Sequence, residues 1–595
     1  MENTVLLPPL KRFFKLLELD RKSILYIYLY ALLAGIITLS LPLGVQAIIG
    51  LIAGGNMSAS LIVLVVAVTL GSMLTGIMKI MQISITENIQ RKIFARSALD
   101  FAYRIPKLNM DALSEAYPPE LVNRFFDTLT IQKGLPKILI DISTAVLQIA
   151  FGLLLITFYH SFFAFFGLIL LVLLLTIFWL TASAGLKTSL QESKYKYRVA
   201  YWLEDMARTI PAFKLFGEAP LSLRKTDKLV YSYLSSRNKH FRVLLLQYGN
   251  LVALKTILTG SLLLLGSYLV IQNQINIGQF VAAEIVVILV IASVEKLILS
   301  METIYDVLTG LEKIGFVMDL PLESDKGLKF KDIDSGKSLQ VELKDLFFQF
   351  DDADAPTVNA VSFRVEPGQK INIAGYNGSG KSTMLELMLG QFDRFKGNVL
   401  YNGFPIRSLN LIDLRGNIGH FGNEVAIFNG SILDNITLGR DNVGIKEAIK
   451  AAQEVGLSEF VERLPNGYDT RLISEGRNIP GNIKTKIRLA RCIAGSPKMI
   501  LAESGLQSLE RSEYESIIKL LTAEDAPWTL LIISNDPYVA QKCDQTIILE
   551  NGKIVEKGKY NDLGNSPHFI PIFATSSILL QAATNGPKVI DKANK

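Results

Sequence analysis

Apolar residues crowd the first half of the chain in six long runs, near 24–53, 59–86, 138–158, 162–184, 249–272 and 277–300. Beyond residue 338 they thin into short stretches alternating with charged loops. Each long run can cross the ~30 Å hydrocarbon core of a bilayer at ~1.5 Å per helical residue, so six membrane helices are predicted. The turns AGGNMSAS, YHS and QNQINIG, which close alternate pairs of runs, hold no Lys or Arg, whereas the connections 87–137 and 187–248 are rich in both. Cationic loops stay on the cytoplasmic side, which places both long connections and both chain ends in the cytoplasm. Helical periodicity continues into those connections, so the membrane helices are expected to run on past the bilayer. Pro118 and Pro119 in AYPPE, and Pro211 and Pro220 in RTIPAFKLFGEAP, interrupt it, because proline lacks a donor and clashes with the preceding turn. Each break predicts a short transverse helix at the far end of a helical hairpin.

Ahead of the first run, PPLKRFFKLL sets Leu10, Phe13, Phe14 and Leu17 on one helical face. That pattern predicts an amphipathic segment over 1–22 lying along the inner membrane surface, although an ordinary capping helix would share it. The run from Ile24 is too long for the core of a signal peptide, and no small-residue cleavage pattern follows it. With 595 residues and a mean hydropathy of +0.33, the chain exceeds one domain and is too apolar for an ordinary soluble protein. The net charge of +6 would suit a nucleic-acid binder, but the cations cluster between apolar runs, so a lipid membrane accounts for them and no nucleic-acid partner is expected. Two cysteines, Cys492 and Cys543, imply neither a disulfide framework nor a metal cluster. Among the charges inside the runs, Lys79, Lys255, Glu295 and Lys296 lie near inner ends where long side chains snorkel. Glu284 sits nearer the outer end, at ~10 Å depth, where a carboxylate needs water or a partner. It is a candidate for a translocation cavity, with a structural hydrogen bond as the alternative.

The second half reads as an α/β domain. KINIAGYNGSGKSTMLELMLG is a strand, a glycine-rich loop and a helix, and Gly375, Asn377, Gly378, Ser379, Gly380, Lys381, Ser382 and Thr383 fall within its phosphate-loop motif. Glycines let backbone N–H groups converge on one concavity, and the helix N-terminus adds positive potential. Lys381 would reach the terminal phosphates of ATP, and the Ser382 hydroxyl would ligate Mg²⁺. The predicted fold class is therefore a six-span α-helical membrane domain followed by an α/β phosphate-loop ATP-binding domain. The boundaries are 1–22, 23–320 for the membrane domain, 321–338 as linker, 339–567 for the ATP-binding domain and 568–595 as tail.

In this order of parts the chain resembles an exporter-type ABC half-transporter, and PELVNRFFD resembles the coupling segment of type I secretion and peptide exporters, with Pro119 where those have Gly. The resemblance implies an adenine-stacking aromatic at Phe350 in LFFQFDD. It also exposes departures. Counting from Leu489-Ala490-Arg491, the family's magnesium Asp falls on Glu503 and its catalytic Glu on Ser504, while the Gln that senses magnesium and water falls on Asn423. The switch His falls on Asn535, and the signature Leu-Ser-Gly-Gly-Gln becomes Ile479-Pro480-Gly481-Asn482-Ile483. Loss of a general base costs ~10²–10⁴ in rate. The resemblance thus implies a multi-pass protein of a bacterial-type inner membrane, with a cytoplasmic domain that binds ATP and Mg²⁺ and no intact catalytic residue. Its partners would be a second half-transporter with intact catalytic residues and, as in secretion systems, periplasmic components. Exported peptide, protein or another substrate fits this reading. A homodimeric exporter with unusual catalytic residues and a non-transporting ATP-binding scaffold are the alternatives.

Overall fold

The computed structural model describes residues 8–53, 59–113, 118–159, 161–217, 220–333, 336–422, 426–503, 505–564 and 566–573. The chain divides into two compact units, Met1–Leu108 with Glu115–Pro321, and Asn109–Ser114 with Leu322–Lys595.

In the first unit, six helical segments are long and apolar enough to cross a membrane: Arg21–Ile52, Ala59–Lys107, Pro118–Thr157, Gly167–Arg208, Leu221–Ile271 and Ile277–Asp319. The continuous helices Ala59–Arg104, Ser161–Arg208, Leu221–Ile271 and Ile277–Asp319 hold 43 to 51 residues. At ~1.5 Å per residue this is roughly twice the ~30 Å that a bilayer core requires, in line with the expected extensions. Short helices form at both proline breaks, Pro118–Asn123 and Ile210–Lys214, since proline suits a first turn whose N–H has no partner anyway. Two irregularities were not expected. The first run breaks between Thr38 and Ser40, where the ring of Pro42 opposes the carbonyl four residues back. Just after Pro136, a π-helical turn spans Ile138–Ile142.

Polar side chains in this unit are paired more thoroughly than snorkelling suggests. Lys255 meets Glu295 at 3.6 Å and Lys296 meets Asp141 at 2.8 Å, so these charges neutralise one another. Gln247 is buried and donates to Tyr305 Oη at 2.9 Å and Thr181 Oγ1 at 2.8 Å. The helix Pro9–Glu18 turns Arg12 inward onto Asp319 at 2.5 Å, while Leu10 and Phe14 stay exposed. Phe13 and Leu17, from the same predicted face, are half-buried.

The second unit is built on two sheets. A six-stranded sheet runs in the order Lys553–Gly558, Gln545–Glu550, Lys370–Ala374, Thr529–Ile533, Met499–Ala502, Ile418–Phe421. Every pairing in it is parallel except the one with the edge strand Lys553–Gly558. Lys370–Ala374 and Thr529–Ile533 are buried at every position, the near-continuous apolar reading of a strand covered on both faces. An antiparallel sheet of Val358–Val365, Val341–Phe348, Lys396–Tyr401 and Phe404–Pro405 packs into the same core. The presumed linker is part of this unit: Arg415 grips Glu323 at 2.6 Å, and Phe330 is buried in the core. At the other end Phe569, Ile572 and Phe573 pack with Ala540 and Ile548, so the domain continues past residue 567. Residues 574–595 lie outside the described residues.

Candidate ATP-binding site

The phosphate loop leaves the C-terminal end of Lys370–Ala374, where the sheet continues with one neighbour on each side. Open parallel sheets place ligands at such strand ends. Gly375, Gly378 and Gly380 have φ of +148°, +80° and +92°. A Cβ on Gly375 would strike the Leu549 carbonyl and one on Gly380 the Thr357 carbonyl, whereas Gly378 has open space and needs glycine for its φ alone. The helix Lys381–Met388 follows at once. Ser379 and Gly380 are buried; Asn377, Gly378 and Ser382 are exposed, and Lys381 and Thr383 are half-buried.

Lys381 Nζ folds over the loop, donating to Gly375 O at 2.9 Å, Tyr376 O at 2.7 Å and Ser379 Oγ at 3.2 Å. Burial pushes its pKa below the usual lysine range, because desolvation disfavours the charged form. An ammonium satisfied only by neutral acceptors is well placed to exchange them for anionic phosphate oxygens.

Asn377 and Lys381 border a cleft of about 620 Å³ together with Glu503, Leu509, Asn535 and Asp536. Three parallel strands deliver these groups, since Glu503 follows Met499–Ala502 and Asn535 follows Thr529–Ile533. Glu503 is half-buried and its N–H donates to Phe421 O at 2.7 Å. A hydroxyl at Ser382 and a carboxylate at Glu503 are hard oxygen donors of the kind Mg²⁺ takes alongside phosphate oxygens. The glycine cradle that no Cβ could share, with the lysine above it, fits a nucleotide phosphate chain.

Asn535 is committed elsewhere. Its Oδ1 accepts from Gly375 N–H at 3.0 Å and its Nδ2 donates to Gly375 O at 3.1 Å, a reciprocal amide pair with the first glycine of the loop. Sequence reasoning missed this pair, because it joins residues 160 apart. It also missed the far wall of the cleft, where Tyr514 Oη donates to Asp536 Oδ2 at 2.7 Å and Arg511 stands 3.7 Å from the same carboxylate. The signal for Asp536 lay in Asp-Pro, an N-cap followed by a first-turn proline, and its Oδ1 does accept from Tyr538 N–H.

Phe350 is half-buried and meets Phe348 and Phe392 edge-on at 4.9 and 5.7 Å. These contacts fix the ring while leaving part of it open. Asn423 and Ser504 lie outside the described residues. Beside Asn423, Gly422 O accepts from the Arg488 guanidinium.

The five signature positions divide by environment. Ile483 is buried and Ile479 is packed against the same helical-subdomain core, so both are held by packing. Pro480 and Gly481 are exposed at the start of the helix Gly481–Ile493, and Asn482 Oδ1 accepts from Ile483 N–H at 2.9 Å. Glu284, in the first unit, is half-buried and makes no hydrogen bond or ion pair among the described residues.

Comparison with known families completes this picture. The ABC transporter transmembrane region family matches residues 24–294, and the ABC transporter family matches residues 358–504. The chain belongs to the ABC transporters. It is 30% identical over 256 residues to an ATP-dependent lipid A-core flippase of Saccharophagus degradans, covering 43% of each chain. It is 28% identical over 368 residues to a leukotoxin translocation ATP-binding protein of Mannheimia glucosida, covering 61% of this chain and 51% of that one. An alpha-hemolysin translocation ATP-binding protein of Escherichia coli O157:H7 matches at 27% over 366 residues, with 61% and 51% covered. The ABC transporter chain thus spans about half the length of these relatives, or less. Among solved structures, a bacterial Atm1-family ABC exporter with ATP bound superimposes with a TM-score of 0.82 at 19% identity, covering 94% of this chain and 98% of that one. That likeness speaks for the fold.

Proposed function

We propose that this chain is one half of an ABC exporter of the inner membrane. It binds ATP–Mg²⁺ through Lys381, Ser382, Glu503 and Phe350, contributes to export of a peptide, protein or other substrate, and hydrolyses ATP slowly or not at all. The observation that carries the reading is the reciprocal pair between Asn535 and Gly375 beside an intact phosphate cradle. The residue in the switch position serves the loop, and its amide has no basic imidazole nitrogen. Ser504 offers no carboxylate to take a proton from water. Bound Mg²⁺ would neutralise phosphate charge; the chain's own residues orient and hold the nucleotide. A second half-transporter with intact catalytic residues would supply turnover, and translocation relatives favour a polypeptide substrate, with lipid export behind it. Glu284 would face that substrate's path.

The test is ATP turnover by the purified full chain in lipid, alone and after co-purification with its native partner. Near-background turnover alone, with robust turnover in the complex, is expected. Turnover typical of an exporter by the chain alone, abolished by Lys381→Ala, would refute the reading.

A further inference from the structure

The first unit holds a second concavity, of about 590 Å³, which brings together Arg124, Lys194, Arg198 and Lys313 with only Glu120 and Glu312. It is built where the chain re-enters helix after the first proline break, from the distal part of Ser161–Arg208, and from the end of Ile277–Asp319. Lys313 lies beyond the last apolar run by ~20 Å at ~1.5 Å per residue, well clear of hydrocarbon.

Each carboxylate has a cationic neighbour. Glu120 pairs with Arg124 at 3.3 Å one turn along. Glu312 Oε2 stands 3.8 Å from Arg12, a residue outside the cavity lining, and is buried without a hydrogen-bond partner; the Glu312 charge also reaches Lys313. Asp127, whose charge also reaches Lys313, accepts from Tyr197 Oη at 2.6 Å and lies 3.7 Å from Lys196. Lys194, Arg198 and Lys313 therefore have no ion pair among the described residues. The Arg124 guanidinium lies over the Phe316 ring at 4.2 Å, and its Nε is buried without a hydrogen-bond partner. Lys313, itself half-buried, faces the Tyr197 ring at 5.5 Å. Aromatic faces stabilise these cations without using their N–H donors.

Four cations gathered with only two carboxylates keep a net repulsion that a further anion would relieve. Arginine forks and lysine ammonium groups together suit phosphate oxygens, and the excess of two positive charges matches a phosphate dianion. We propose that this cavity of the transmembrane unit binds a phosphate-bearing ligand, whether a soluble phosphate compound or a lipid headgroup. The site is separate from the ATP cleft and stands or falls independently of how the chain hydrolyses ATP.

The experiment uses the full chain in phosphatidylcholine nanodiscs, in a Lys381→Ala background that silences the phosphate loop. Inorganic pyrophosphate is titrated in one arm and phosphatidic acid is incorporated in the other. Saturable binding is expected in at least one arm, weakened at least ~10-fold by Arg198→Gln with Lys313→Gln and by added salt, and unchanged by Lys214→Gln, an exposed lysine elsewhere. Binding of pyrophosphate assigns a soluble ligand, and binding of phosphatidic acid alone assigns a lipid. In phosphate-free buffer the double variant should also melt higher than its parent, because it removes repulsion. Absence of binding in both arms, equal weakening by Lys214→Gln, or a lower melting temperature of the double variant would overturn the proposal.

Discussion

Asn535→Ala isolates the contribution of the reciprocal amide pair. The substitution removes both hydrogen bonds to Gly375, a buried residue at φ +148° that no side-chain-bearing residue could replace. Neutral hydrogen bonds contribute about 0.5–1.5 kcal/mol each, so the pair is worth about 1–3 kcal/mol to the folded domain. For a domain of this size, each kcal/mol moves Tm by about 2–4 °C, which predicts a fall of about 2–12 °C. The measurement is thermal unfolding of the full-length chain in lipid, following the transition that ATP–Mg²⁺ displaces. Nucleotide affinity should fall with it, because a loop that samples other conformations must be ordered on binding. Asn535→Asp separates geometry from charge. It keeps an acceptor for the Gly375 N–H but places a negative charge beside the phosphates, so it should weaken ATP binding more than Asn535→Ala does. If Asn535→Ala melts within ~1 °C of the parent and binds ATP unchanged, the pair does not hold the loop and the reasoning fails.

Four further outcomes are expected. Lys381→Ala should abolish the rise in Tm that ATP–Mg²⁺ causes, whereas Ser382→Ala should retain nucleotide binding and lose its magnesium dependence, read by titration with and without the metal. In the complex with a native partner, Pro480→Ser should raise turnover by restoring a backbone N–H and a hydroxyl, a charged hydrogen bond being worth ~1.5–3 kcal/mol; unchanged or lower turnover would exclude this role. The segment 109–113, which belongs to the second unit, is pH-sensitive: burial and the neighbouring Asp393 carboxylate push Asp111 up to about 6. A carboxyl whose folded pKa is raised binds its proton more tightly in the fold, so this contact gains stability as pH falls through about 6 and loses it above. Asp111→Asn should thus stabilise the fold at pH near 8 and not near 5, by under ~1 kcal/mol because the group is only half-buried, read as a rise in Tm at the higher pH alone.

Much of this architecture was legible because its signals are strong and local. Six apolar runs admit little but membrane helices, and the loop from Gly375 to Ser382 demands a strand before it and a helix after it. Legibility failed where structure depends on residues distant in sequence. Lys255 and Lys296 read as snorkelling cations because nothing local shows Glu295 and Asp141 beside them in space. Phe330 and Glu323 read as linker because their partners, the domain core and Arg415, come some ninety residues later in the case of Arg415. The break at Thr38–Ser40 was legible from Pro42 and was masked by the strength of the apolar pattern around it. Asn535 was found by its position relative to the family's switch residue, but its contact with Gly375 needed the sheet that sets Thr529–Ile533 beside Lys370–Ala374.

The departures from the family pattern differ in severity once their surroundings are known. Ile479 and Ile483 face a core, so their apolar character is what the fold requires there. Pro480 contributes no N–H, and the Ile483 N–H is taken by the Asn482 side chain. The N–H groups of Gly481 and Asn482 remain, since first-turn donors of a helix have no carbonyl inside it to meet, and they keep the positive end of the Gly481–Ile493 helix available to a phosphate. At the loop's own cleft the phosphate cradle and Lys381 are in place. Asn535 is turned to Gly375, and Ser504 follows Glu503 in the sequence. Under the function proposed above, the chain would complete a partner's ATP site rather than own a hydrolytic one. On that reading the site over this chain's phosphate loop would hold ATP and release it slowly, the site completed by Gly481 and Asn482 would hydrolyse it, and the working Glu would belong to the partner.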